Sequence, residues 1–443
     1  LQLGLRTGSL LPLGLFLIFA STSPRAATWR VHADGTGDLP TIQEAINGAA
    51  SGDTIRVGPG DYSANLWIEG KAIILLSDQG PTATILHGLS LQDSPVIDVF
   101  YDDGNQSIIE GFTIRDGTTG IRATSASPVI RGNTIMHNES ALGAGICCTF
   151  GSNAVIDGNL IVHNRTWYQC CFPSRGGGVY ADETSAAIIR NNVIAYNTCD
   201  GECIGGGVSV FVATVERNTI FGNHADGPAG GIELPFDGAV VSNNIVCGND
   251  SGEFGDGIVV FRNATLYCND VFANGDEDYW GAEPGPGDFS ADPRFCGLPN
   301  VGADSGPLRL ESFDLQTDSP CLPEQHPGGA DCDRIGARGA TCKTTPFPVR
   351  TRIGGLRPSV MVFPNPTRAG AAVRFDASPS GHGTAVEIVT AGGRLLRRIE
   401  STSPGLARWD GRDAAGHPVS AGLYYVRVLS GPLPQRGTIL VIR

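Results

Sequence analysis

Two carboxylates and three aromatic rings carry most of the chemistry open to this sequence. Asp182 directly follows the run GGGVYA, and Glu233 lies within the similar run AGGIEL. A glycosidase needs two carboxyl groups facing one glycosidic bond at a set separation. Asp182 and Glu233 are the candidate catalytic pair, and their wide spacing suits an inverting mechanism; the alternative is a pair of solvated strand residues. Trp167 and Tyr168 share a long loop with Cys170 and Cys171, and Tyr180 stands in the next apolar run. Exposed rings stack on sugar faces, whereas a Trp beside two cysteines can simply pack its own loop. The candidate ligand-binding set is Trp167, Tyr168, Tyr180, Asp182 and Glu233.

Metal chemistry has less support. His137 and His163 occupy matching positions, but later equivalents are Tyr196, Gly222, Gly248 and Ala273, which favours a surface position over a metal pair. Asp200, Glu202, Asp226, Asp250, Glu253 and Asp256 form acidic loops in which calcium is conceivable. No Asp-x-Asp-x-Asp-Gly loop occurs, so no metal and no cofactor is predicted. Twelve cysteines without paired C-x-x-C knuckles read as disulfides of an exported protein rather than zinc ligands. Cys199 and Cys203 bracket a tight loop, and Cys147/Cys148 lie about one repeat before Cys170/Cys171.

These residues are spaced by a repeat. The units PVIRGNTIMHN, AVIDGNLIVHN, AIIRNNVIAYN, ATVERNTIFGN, AVVSNNIVCGN and ATLYCNDVFAN place a first Asn at 133, 159, 192, 218, 244 and 269. A second series follows at Asn138, Asn164, Asn197, Asn223, Asn249 and Asn274. Before the later units come GAGICC, GGGVYA, GGGVSV, AGGIEL and GDGIVV. Each unit holds three short apolar runs separated by turns. No unit can bury its apolar side chains alone, and stacking in register gives one continuous core. The pattern predicts an all-β chain: a right-handed parallel β-helix followed by a small Ig-like β-sandwich. Both Asn series should stack as ladders, with Asn taking the left-handed turn conformation. If Ile and Val of the Gly-rich runs face inward, Cys147, Tyr180, Ser209, Glu233 and Val259 form an outward row, flanked by Asp182, Phe211 and Phe261.

Four segments are expected. Residues 1–27 read as a signal peptide, with Arg6 before the apolar stretch Leu10–Ala20. Residues 28–342 form the β-helix. Its cap helix follows Thr41, with Thr41 and Glu44 as a capping box, and a Cys-containing segment closes it. Residues 343–359 are a linker and 360–443 the sandwich. Charge is divided unevenly. From residue 344 onward there are 13 Arg against 5 acids, while the remainder holds 18 basic and 40 acidic residues within a total of −14. An acidic body argues against nucleic acid and permits neutral sugars or cations. No other segment is apolar and long enough to span a membrane.

The segments VHADGTGDLPTIQEAIN (31–47) and GDTIRVGPGDY (52–62) resemble the N-terminal part of secreted parallel β-helix repeat proteins, the superfamily of pectate lyases, polygalacturonases and pectin esterases. DFSADPRFC (288–296) and the stretch 319–339 resemble the closing segment of bacterial members. The resemblance implies the fold over about residues 29–342. The esterase-like Asp-Phe-Ile-Phe-Gly, the polygalacturonase-like Gly-His-Gly and the lyase-like Asp-His and Arg-x-Pro-x-x-Arg motifs are absent, so no catalytic residue carries over. Pro364-Asn365-Pro366, Trp409-Asp410-Gly411 and Gly422-Leu423-Tyr424-Tyr425 resemble the Ig-like C-terminal domain of type IX secretion substrates and of flagellar hook-capping proteins. That likeness implies contact with secretion machinery and a secreted or outer-membrane-surface location. The expected function is binding of polysaccharide or cell-surface glycan along the Gly-rich strands and their loops, with a polysaccharide lyase or glycoside hydrolase on the same face as the alternative.

Overall fold

A computed structural model of the chain describes residues 26–63, 65–89, 94–102, 106–167, 174–297, 309–327, 332–342, 360–363, 371–375, 385–390, 394–400, 406–429 and 435–441. Residues 1–25 of the predicted signal peptide, the linker, Tyr168, Cys170 and Cys171 lie outside these residues. From Thr28 to Trp280 the chain winds into parallel coils. The Gly-rich runs build a first sheet of nine strands, from Leu66–Glu69 to Tyr279–Trp280. A second sheet of ten strands runs from Thr28–Val31 to Ala264–Tyr267, and a third of nine from Gly60–Ser63 to Asp270–Phe272. At a coil spacing of ~4.8 Å the rod is roughly 50 Å long.

Alternation puts one side chain in two inside. Ile121, Ile146, Val179, Val208, Ile232 and Ile258 stand in register along the first sheet, and all are buried. Each contributes roughly 1.5–3 kcal/mol relative to exposure. The N-terminal end of this column is covered by the helix Ile42–Gly48. Thr41 caps it by accepting from the Glu44 amide, and Ile42, Ala45 and Ile46 are buried in the same core.

The Asn residues form two unbroken ladders. Asn192 Oδ1 accepts from Asn159 N at 2.9 Å and Asn159 Nδ2 at 3.0 Å, while its own Nδ2 donates to Ile156 O and Asn218 Oδ1 at 2.8 and 3.0 Å. The second series repeats this pattern, as at Asn197. An Asp ends each ladder: Asp288 accepts from Asn269, and Asp278 from Asn274. One detail corrects the expectation. The left-handed residue is the one before each Asn, including Asn191 (φ 56), Arg217 (φ 54), His163 (φ 55) and Tyr196 (φ 54). The turn is made one residue early, so that the Asn amide can point inward at the neighbouring coils.

The coils carry more than the three predicted runs. After the second Asn, a fourth sheet forms from Glu139–Ser140, Arg165–Trp167, Thr198–Asp200, His224–Ala225 and Asp250–Ser251. These strands are two or three residues long, too short for periodicity to reveal. The closing segment also has a larger task than ending the rod. Its Phe313, Leu315, Cys321, Ile335 and Ala337 pack on outward Leu160, Val162, Val193, Ala195 and Ile245 of the third sheet. Disulfides Cys268–Cys332 and Cys296–Cys342 fasten it, and Cys199–Cys203 closes a loop beside the fourth sheet.

Under this cover lies Asp270, fully buried, accepting from Ala291 N at 3.0 Å and from the Cys321 thiol at 3.1 Å. Burial pushes its pKa up to about 7, against roughly 3.9 in an unfolded chain. A carboxyl raised on folding supports the fold while protonated. Its contribution is complete below the unfolded value and is lost as pH rises through about 7. Urea midpoints of Asp270→Asn should therefore lack the part of the decline between pH 4 and pH 7 (about the interval separating the two pKa values) that the parent shows. Identical declines in the two proteins would reject this assignment.

Farther along the chain, two antiparallel sheets, of three and four strands, occupy Val360–Phe363 to Gln435–Val441. Val373, Val386, Ile388, Trp409, Tyr424 and Ile439 share one apolar cluster, so the sheets face each other as a sandwich.

Candidate functional site

The outer face of the first sheet gathers the chemistry that the loops and turns do not use structurally. Register aligns Trp67, Asp98, Arg122, Cys147, Tyr180, Ser209, Glu233, Val259 and Trp280 in one row. The stretch from Cys147 to Val259 is the row expected from the sequence. Asp182, Phe211 and Phe261 follow one step along, as their backbone bonds to Cys148, Ala181 and Leu234 show.

Glu233 is buried. Arg175, which enters just before the Gly-rich turn two coils earlier, pairs with one of its oxygens, and Ser209 Oγ donates to the other at 2.6 Å. Asp182 lies in the neighbouring row rather than opposite Glu233. It accepts from Phe150 N at 2.7 Å, Thr184 N at 3.0 Å and Thr184 Oγ1 at 2.8 Å. Burial opposes its charge, yet the bonds from Phe150, Ser185 and Thr184 prevail and lower its pKa. A general acid needs the opposite shift. Both carboxylates thus act as anchors: Glu233 ties two coils together and Asp182 fixes the turn after its strand.

Around them runs an aromatic strip. Tyr180 meets Phe211 edge-on at 6.2 Å, and Phe211 stacks on Phe236 at 5.1 Å. Phe254 and Phe261 pack on Trp280 at 4.5 and 5.4 Å. Arg175 lies over Phe211 at 5.6 Å and Arg262 over Phe236 at 5.2 Å. Tyr180 and Phe211 are 7% and 8% exposed and form the floor, whereas Phe236 and Phe261 are 43% and 42% exposed, with Phe236 in contact with both Phe211 and Arg262. Phe211, Phe236 and Phe261 recur every 25 residues, about one coil. That spacing was legible, but Phe236, Phe254 and Arg175 were not singled out from the sequence.

The remaining predicted residues lie elsewhere. Trp167 is half exposed on the fourth sheet beside Asp200, and Ser174 Oγ donates to its carbonyl at 2.8 Å. Tyr168 falls outside the described residues. The acidic loop residues are largely engaged. Asp200 pairs with Arg165 at 2.5 Å, and Asp226 and Asp250 hold His224 at 3.2 and 3.1 Å. Burial works against a charged His224, but the two aspartates outweigh it and hold its pKa up to about 9. His137, His163 and Tyr196 stack ring on ring, with centroids 5.5 and 5.6 Å apart.

Comparison with known proteins agrees with the architecture. A family model described as right handed beta helix region matches residues 72–246. No curated protein sequence matches the chain. A solved structure of PorZ, an essential bacterial surface component of the type-IX secretion system of Porphyromonas gingivalis, is similar at 31% identity over 19% of this chain and 11% of that one, with a TM-score of 0.16. The likeness thus spans about a tenth of PorZ.

Proposed function

We propose that this right-handed parallel β-helix is an exported protein that binds an extended, uncharged glycan along the outer face of its first sheet. The observation that carries the reading is the strip of half-exposed Phe236 and Phe261 beside the less exposed Trp280, with the exposed Arg262 at its edge. Sugar C–H faces stack on such rings, and polar side chains at the rim bond hydroxyls. The acidic body, 40 acids against 18 basic residues, disfavours polyanions and leaves neutral chains. Trp167 and Tyr168 extend the same reading to the adjoining loop. Three disulfides fit an oxidising compartment. The C-terminal sandwich then serves as the sorting or retention module, through contacts with secretion machinery.

Hydrolysis or elimination on this face would need a free carboxylate or base, and Glu233 and Asp182 are already committed to Arg175, Ser209 and the turn at Thr184. The test is an array of neutral and acidic polysaccharides probed with the full chain. Binding confined to neutral glycans, without release of reducing or unsaturated ends, is the expected result. Cleavage products would overturn the binding reading in favour of an enzyme, and binding only to polyuronates would overturn the charge argument.

A further inference from the structure

The outer face of the second sheet takes no part in glycan binding. Its strands alternate, so Ile109, Ile130, Ile156 and Ile189 are buried in the core and the residues on either side of them face out. Register sorts these outward residues into two rows. Ile74, Ile108, Val129, Val155 and Ile188 follow one another in the first, and Glu110, Arg131, Asp157, Arg190 and Glu216 in the second. Every one of them is at least partly exposed, Ile188 to 37%. Five successive β-branched aliphatic residues form a continuous apolar stripe, where a solvated face would carry polar residues. The second row alternates in charge from coil to coil. Arg131 pairs with Glu110 at 2.7 Å and Arg190 with Asp157 at 3.0 Å, so these four residues cancel on a chain of net charge −14.

An apolar stripe beside a neutral, alternating one is complementary to its own inverted copy. We propose that this face is the interface of a homodimer, covered by a second copy of the chain whose rod runs antiparallel. A twofold axis lying along the strands keeps each residue's place on its strand and inverts the order of the coils. The apolar row then meets the apolar row, and the charged row meets the charged row. An axis parallel to the rod would set the aliphatic residues on the charges. Charge fixes the register. With the axis between the coils of Arg131 and Asp157, Arg131 faces the partner's Asp157 and Glu110 the partner's Arg190. Val129 then faces the partner's Val155, and Ile108 the partner's Ile188. An axis on a coil would set like charge on like charge. The strands Val129–Arg131 and Val155–Asp157 are the fifth and sixth of ten, so the axis falls at the middle of the sheet and the two sheets overlap along their full length. Moving it one coil pairs opposite charges again but leaves two strands of each sheet uncovered. Ten strands at ~4.8 Å, each three or four residues of ~3.3 Å, cover roughly 550 Å² per partner, or about 1,100 Å² in all, enough for a specific contact at the small end of the range.

Sedimentation equilibrium of the full chain from about 1 to 200 μM, the range that suits a contact of this size, should show reversible dimerisation. Val129→Lys and Val155→Asp should each weaken it by roughly tenfold or more, because twofold symmetry places two unpaired charges in every interface. Mixing the two variants should restore association, since the introduced ammonium then faces the introduced carboxylate across the axis. That rescue distinguishes a lost contact from a damaged fold. Ile188→Lys, at the most exposed position of the row, should show the same loss with a urea midpoint near the parent's. Phe236→Ala, on the first sheet, should dimerise as the parent does. A parent that stays monomeric throughout overturns the second copy and leaves the face to a different partner. A mixture that stays monomeric overturns the antiparallel register, and parental dimerisation of Val129→Lys and Ile188→Lys overturns the face itself.

Discussion

Asn192→Ala is expected to lower the free energy of unfolding by about 2–4 kcal/mol, a large effect for a single polar substitution. Asn192 is fully buried at the middle of its ladder, and its amide serves two coils at once. Truncation leaves Asn159 N without its acceptor and removes one partner each from Asn159 Nδ2, which keeps Ile130 O, from Ile156 O, and from Asn218 Oδ1, which keeps Asn192 N. Each buried polar group that loses a partner costs on the order of 1 kcal/mol, and the space left by the amide adds to the loss. Exposed Asn153, which bridges only to neighbouring loops, is the matched control. Urea unfolding of both variants checks the difference. A loss below about 1 kcal/mol for Asn192→Ala would mean that the ladder is not a principal tie between coils.

Loss of the closing disulfides is expected to be comparable. Cys268–Cys332 spans 64 residues and Cys296–Cys342 spans 46. Chain-entropy arguments put loops of these lengths at about 4 kcal/mol each. The consequence is local as well as global. Without these ties the cover over the third sheet loosens, baring an apolar patch that includes Val162, Val193 and Ile245. Cys268→Ser/Cys332→Ser should therefore show a lower urea midpoint and new binding of a hydrophobic dye at urea concentrations well below the main transition. A variant that keeps the parental midpoint and binds no dye would show that packing of Phe313 and Leu315 alone holds the segment.

Much of this organisation was legible because a solenoid writes itself periodically into sequence. The two Asn series fixed the turns, since a buried amide must bond to the coils above and below. The Gly-rich runs fixed the inward Ile and Val and thereby the outward row from Cys147 to Val259. Contacts that cross coils without a period were hidden. Arg175 reaches Glu233 across 58 positions, and nothing in either residue's neighbourhood announces its partner. The closing segment left a fainter trace: third-sheet runs such as LIV and VIA are apolar at every position, where a solvated face would alternate. Candidate site residues were found by type, and their roles depended on burial, so Asp182 and Glu233 emerged as anchors while Phe236 supplied a half-exposed ring.

The central claim is that a glycan lies on the first-sheet strip, and calorimetry on ring-deletion variants tests it most directly. With the tightest-binding array glycan, Phe236→Ala and Phe261→Ala should each weaken affinity by about 1–2 kcal/mol, roughly 5- to 30-fold. Trp67→Ala, on the same row but several coils away, should leave affinity unchanged, and all three should unfold close to the parent because their rings are half exposed. Parental affinity in both Phe variants would contradict the claim and place the ligand on another face of the rod.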